Sequence, residues 1–111
     1  MTMPEYISPM LATLVHEYFS DKEWIFERKF DGIRCIARKE NNRVTLYSRN
    51  RKKLNERFPE IVDAVKKQKG NFILDGEIVA FDNKVTSFEK LQPRIQKKNP
   101  SEKQLEKVSV F

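Results

Sequence analysis

At 111 residues the chain has room for one domain with a single modest core, and 39% hydrophobic content with eight Phe, three Tyr and one Trp excludes a disordered polymer. No apolar stretch approaches the roughly 18 residues that span a bilayer, and MTMPEYISPM lacks a secretory leader's basic-then-apolar pattern, so no membrane partner is expected. The lone Cys35 excludes an internal disulfide and points to the cytoplasm, while 22 Lys+Arg against 16 Asp+Glu (net +6) suits nucleic acid, a nucleotide polyphosphate, or merely a basic surface.

The first 20 residues, with Pro4, Pro9 and aperiodic apolar positions, read as a lead-in packed against the domain. KEWIFERKF alternates, with Phe26, Arg28 and Phe30 on one face and Ile25, Glu27 and Lys29 on the other, which predicts a strand. Asp31-Gly32 predicts a hairpin turn, and IRCIARK a second strand. Asn41-Asn42 predicts a turn into a third, with Val44 and Leu46 opposite Thr45 and Tyr47. The three are expected to form an antiparallel meander.

FPEIVDAVKKQKGN is the clearest helix: Phe58, Ile61, Val62 and Val65 fall at helical spacing, Pro59 suits the first turn, and Gly70 stops it. NFILDGEIVAFD reads straight through as a strand, with Asp75 and Glu77 on one face beside Ile73 and Val79. TSFEKLQ predicts a short helix capped at Thr86 and ended by Pro93, NPSEKQLEK another helix, and VSVF the start of a strand. The fold class expected is α+β, antiparallel sheets with flanking helices. A strand that begins at the last residues leads us to expect continuation beyond this sequence.

Chemistry concentrates at the two Asp-Gly sites. A hairpin accounts for Asp31-Gly32 but not for Glu27, Lys29 and Arg34 around it. Lys29 is a candidate nucleophile. A free lysine has a pKa near 10.4, so deprotonation at neutral pH costs about 4–5 kcal/mol unless nearby positive charge and burial on a strand face reduce it. Arg34 suits bidentate phosphate or ribose contacts. Asp75 and Glu77, on a mostly apolar strand, need a sugar hydroxyl, Mg²⁺, a lysine or a surface salt bridge. His16 has no companion at metal-ligand spacing, and Cys35 reads as core.

Together these residues resemble the ATP-dependent DNA ligases of the covalent nucleotidyltransferase superfamily. Lys29-x-Asp31-Gly32-x-Arg34 matches the nucleophile motif KxDGxR, YSRN (Tyr47 to Asn50) the next motif, and LDGEIVAFD the third. PMLAT and RFPEI look most like the ligase domain of bacterial multi-domain repair ligases and their archaeal relatives. The resemblance implies a nucleotidyltransferase adenylation domain in which Lys29 attacks the α-phosphorus of ATP. Glu27 would contact the adenine, Arg34 the ribose or α-phosphate, and Glu77 the ribose hydroxyl with a metal role. Phe111 would be the adenine-stacking aromatic, and Arg49 would sit near the phosphates or the DNA end.

ATP, Mg²⁺ and nicked double-stranded DNA are the implied cofactors and partner, in repair or replication. Arg49, Arg51, Lys52, Lys53 and Arg57 would track the DNA backbone, with a solvated loop the alternative for Lys52 and Lys53. Arg51 replaces the glycine that commonly follows SRN. The fourth motif, the lysine-rich fifth motif and the oligonucleotide-binding barrel do not occur within residues 1–111. The resemblance therefore implies the N-terminal part of an adenylation domain, weak or inactive alone, with a C-terminal ligase segment as partner. Alternatives are a nucleotide- or DNA-binding fragment without turnover, and an RNA ligase or capping enzyme. Arg34 argues against the NAD-dependent ligases.

Overall fold

The computed structural model describes residues 3–111. Its elements are β1 (Ile33–Glu40), β2 (Arg43–Tyr47), α1 (Pro59–Lys66), β3 (Phe72–Ile78), β4 (Phe81–Asp82), β5 (Val85–Thr86), α2 (Phe88–Ile95) and α3 (Glu102–Lys107). A three-stranded antiparallel sheet has the order β2-β1-β3, and β4 pairs with β5 in a separate hairpin. The α+β class with antiparallel sheets holds.

β1 and β2 meet through Asn41 and Asn42, at φ 50° and 67°, left-handed values that asparagine tolerates. α1 begins at Pro59 behind the fully buried Phe58 and lays Ile61, Val62 and Val65 against the core. α3 is closed by a reciprocal Ser101–Gln104 capping box.

Strand alternation gives the sheet two faces. One face sends Cys35, Ala37, Val44, Leu46 and Ile78 into a core completed by Leu54, Phe58, Leu91, Val108 and Val110. The other carries Arg34, Arg38, Asp75 and Glu77. The start of the lead-in lies across this second face, where Arg38 donates from Nε to the Pro4 carbonyl (2.7 Å) and Arg34 from Nη1 to that of Met10 (3.1 Å), but residues 11–20, expected to pack against the domain, are exposed.

Four expectations are corrected. Residues 22–30 form no strand, and β1, the partner expected for them across Asp31-Gly32, has both edges occupied, by β2 and by β3. The predicted meander is therefore the β1–β2 hairpin alone, with β3 as the third strand. Asp31-Gly32 is not a hairpin turn, and neither residue has a positive φ. Gly32 is needed for close approach instead: a Cβ there would lie 2.0 Å from the Ile78 carbonyl oxygen and 2.9 Å from Val79 Cγ1. Finally, Ser87 rather than Thr86 caps α2, and Pro93 lies inside that helix rather than ending it.

VSVF, expected to begin a strand, forms none. Val79 and Phe111 exchange two backbone hydrogen bonds, of 3.0 and 2.9 Å, just beyond the end of β3.

Candidate active site

β3 runs straight through its Asp-Gly-Glu, as expected, and its register against β1 builds the site. Arg34 lies directly opposite Glu77, and Asp75 sits diagonally across. The Arg34 fork closes on Asp75, Nε to Oδ1 at 2.7 Å and Nη2 to Oδ2 at 2.6 Å. Arg34 therefore does not present its fork to a ligand; one N–H on each of Nη1 and Nη2 remains after the Met10 contact. The hydrogen bonds from Arg34 hold the Asp75 carboxyl below the usual carboxylate range.

Glu77 has no ion-pair partner within 4.0 Å among the described residues. Half-buried, it is pushed above the usual carboxylate range by desolvation, opposed by the positive charges of Arg34 and Lys29. The two carboxylates of β3 thus take opposite roles, one paired and one free.

An open cleft of about 680 Å³ is lined by Glu27, Arg28, Lys29, Phe30, Arg34, Asp75, Gly76, Glu77, Val79, Phe81 and Phe111. Lys29 is exposed in it rather than buried on a strand face, which corrects that expectation. Five of the residues expected at a nucleotide site, Glu27, Lys29, Arg34, Glu77 and Phe111, share this cleft. Arg49 lies in a neighbouring cleft of about 490 Å³ that shares Arg34 and Glu77 with the first.

Arg51, Lys52 and Lys53 lie on the tight turn beyond. The Ser48 hydroxyl there accepts from the amides of Asn50 (3.3 Å) and Lys52 (3.1 Å). Arg51 adopts φ 61°, the left-handed conformation that a glycine would take without strain. Its guanidinium lies over the Tyr6 ring at 5.4 Å and pairs with Glu5 at 3.5 Å, contacts that offset the strain. Among the described residues no group of three or more His, Cys, Asp or Glu is placed to hold a metal.

Of the partners that the sequence leaves open for Asp75, the structure supplies the salt bridge, to Arg34, through a β1–β3 register that is not visible in the sequence. It also adds one aromatic residue to the cleft. Phe81 packs edge-on against Phe111 with centroids 5.6 Å apart, extending the aromatic wall. The signal was present: Phe81 closes the apolar run that follows Glu77.

This geometry agrees with comparisons against known proteins. The model of the ATP dependent DNA ligase domain matches residues 9–111. The chain belongs to this ligase domain family. It is 38% identical over 94 residues to the SPbeta prophage-derived DNA ligase-like protein LigB of Bacillus subtilis, covering 84% of this chain and 34% of that protein. A DNA ligase of Methanococcus maripaludis is 35% identical over 112 residues, covering 94% and 20% respectively.

The crystal structure of the ligase domain of LigD from M. tuberculosis superimposes with a TM-score of 0.56 at 28% identity, over 65% of this chain and 25% of that one. The chain spans about a third or less of the relatives it matches. The family membership covers the β1–β3 frame and the cleft residues alike. No helix among the described residues is long and apolar enough to cross a membrane.

Proposed function

We propose that this chain is the N-terminal, nucleophile-bearing part of the adenylation domain of an ATP-dependent DNA ligase, sealing nicks in repair or replication. The observation that carries the reading is the convergence of Lys29, Glu27, Arg34, Glu77 and Phe111 on one cleft. Lys29 Nζ, having lost a proton, attacks the α-phosphorus of ATP. An N–P bond forms as the bond to the bridging β-phosphate oxygen breaks, and pyrophosphate leaves. The AMP then passes to a 5′-phosphate at a nick, and the adjacent 3′-hydroxyl displaces it.

Phe111, with Phe81 against its edge, offers a ring for the adenine, and Glu27 lies in the same cleft for its polar edge. Glu77, free of an ion pair, accepts from a ribose hydroxyl. The remaining Arg34 N–H groups donate to ribose or α-phosphate as single contacts. Glu77 also fits a Mg²⁺ site completed by nucleotide phosphates, since Mg²⁺ takes one or two carboxylates and keeps other oxygen ligands. When bound, the ion neutralises charge on the departing pyrophosphate.

Arg49, Arg51, Lys52 and Lys53 hold the DNA backbone, which makes binding weaken with salt. A C-terminal ligase segment supplies the further phosphate contacts. The buried Cys35 suits a cytoplasmic setting.

The test is incubation with Mg²⁺ and ATP labelled at the α-phosphate, followed by denaturation. Label retained on the chain and lost in Lys29→Ala is the expected result. Equal label on both proteins would remove Lys29 from its role. Label recovered as ADP, with none on the chain, would replace nucleotidyl transfer by transfer of the γ-phosphoryl group.

A further inference from the structure

Lys29 belongs to no strand, and the stretch around it is exposed, so something other than a sheet must hold it. Two hydrogen bonds to the β4–β5 hairpin do so, one on each side of the lysine. Arg28 Nη2 donates to the Lys84 carbonyl at 2.9 Å, and the Asp31 amide donates to Thr86 Oγ1 at 2.9 Å. Thr86 is buried (8% exposed), which makes its hydroxyl a fixed acceptor rather than a solvated one.

We infer that Thr86 is a positioning residue for Lys29, its hydroxyl tying the lysine-bearing segment to the β4–β5 hairpin so that the amine is presented over Glu77. The hairpin is a suitable anchor because it is itself tied down. Phe81 pairs with Thr86 and Asp82 with Val85, Asn83 turns at φ 57°, and the Ser87 amide donates to the Ala80 carbonyl at 2.8 Å. Only three residues separate Glu77 in β3 from Phe81 in β4, so nucleophile and carboxylate are referred to one frame. On the far side, Gly32 lies against the Ile78 carbonyl and stops the segment from sliding along β3.

The inference rests on the adenylation reading, and two measurements separate their failures. Thr86→Val keeps the β-branched shape and removes the acceptor, whereas Thr86→Ser keeps the acceptor. Hydrogen exchange at the Asp31 amide is measured without nucleotide, and AMP incorporation is followed across ATP concentrations. In Thr86→Val we expect Asp31 exchange to rise about tenfold, as befits loss of one hydrogen bond.

The same variant should form lysyl-AMP about tenfold more slowly while half-saturation by ATP moves less than twofold, and Thr86→Ser should recover both. Unchanged exchange and rate in Thr86→Val would overturn the inference. So would equal losses in both variants, which mark a role in packing alone. If the wild-type chain takes no label even with a C-terminal ligase segment supplied in trans, the adenylation reading fails and takes the catalytic part with it; exchange at Asp31 then still decides whether Thr86 holds the segment.

Discussion

Arg34 and Asp75 face one another diagonally across β1 and β3 in a two-point contact, Nε–Oδ1 2.7 Å and Nη2–Oδ2 2.6 Å. The pair leaves Glu77, directly opposite Arg34, without an ion-pair partner among the described residues, and so sorts two acids on one strand into a paired and an unpaired group.

Breaking the pair should show in nucleotide binding more than in stability. Both side chains are partly exposed, 31% and 50%, so solvent screens the interaction and Asp75→Asn should cost only about 1 kcal/mol or less in denaturant titration. The pH signature follows from the lowered Asp75 pKa. The contribution is present above the unfolded aspartate pKa and is lost as pH falls through the lower folded value. The wild type should therefore lose stability relative to Asp75→Asn on acidification below about pH 4. An Arg34 freed from its partner should also change ATP half-saturation, by about threefold or more, measured by AMP incorporation.

Glu77 carries the opposite sign. Desolvation raises its pKa, so the native state holds the proton more tightly than the unfolded chain. Stability falls as pH rises through the interval between the unfolded and folded values, and the cost persists above it. Glu77→Gln should thus be slightly more stable than wild type at neutral pH, by less than about 1 kcal/mol, yet form lysyl-AMP more slowly. A thermal melt at neutral pH and at pH 4 checks the sign, because the difference should shrink in acid.

The two motif glycines should respond differently to alanine. At Gly32 a Cβ meets the Ile78 carbonyl oxygen at 2.0 Å, and backbone cannot yield cheaply. Gly32→Ala should cost about 3 kcal/mol or fail to fold. At Gly76 a Cβ meets nothing within 4 Å and φ is not positive. Gly76→Ala should fold as well as the wild type or gain about 0.5 kcal/mol. Urea midpoints of the two variants decide it.

Arg51→Gly should be nearly neutral for folding, within about 1 kcal/mol. Relief of the left-handed backbone is offset by loss of the Tyr6 and Glu5 contacts. Its effect should appear in DNA binding, where the slope of log affinity against log salt should fall by about one charge. Fluorescence anisotropy on a nicked duplex at several salt concentrations measures it.

Cys35 should be silent in the folded protein. Burial in the core pushes its thiol pKa up to about 12, so little thiolate forms near neutrality. A thiol reagent such as dithionitrobenzoate should react only on unfolding, making Cys35 a native reporter of stability.

Much of this was legible in the residues themselves. Asn41-Asn42, Pro59 behind Phe58, and the unbroken run through Asp75 and Glu77 specify local structure because turn chemistry, capping and apolar periodicity act within a few residues of chain. The motif lysine, arginine and glutamate were legible for the same reason: reaction chemistry limits which side chains can serve. Long-range placement was not. KEWIFERKF alternates as a strand does, yet β3, arriving from more than forty residues later in the chain, takes the edge of β1 that it would have needed.

Asp31-Gly32 has the composition of a turn, yet Gly32 serves the approach of β3, and Thr86, read as a cap, receives the Asp31 amide instead. The sequence by itself determined the chemistry available and the local bends. Only the tertiary structure decided which edges pair, which acid meets Arg34 and what holds Lys29, because those depend on register between distant segments that no local preference encodes.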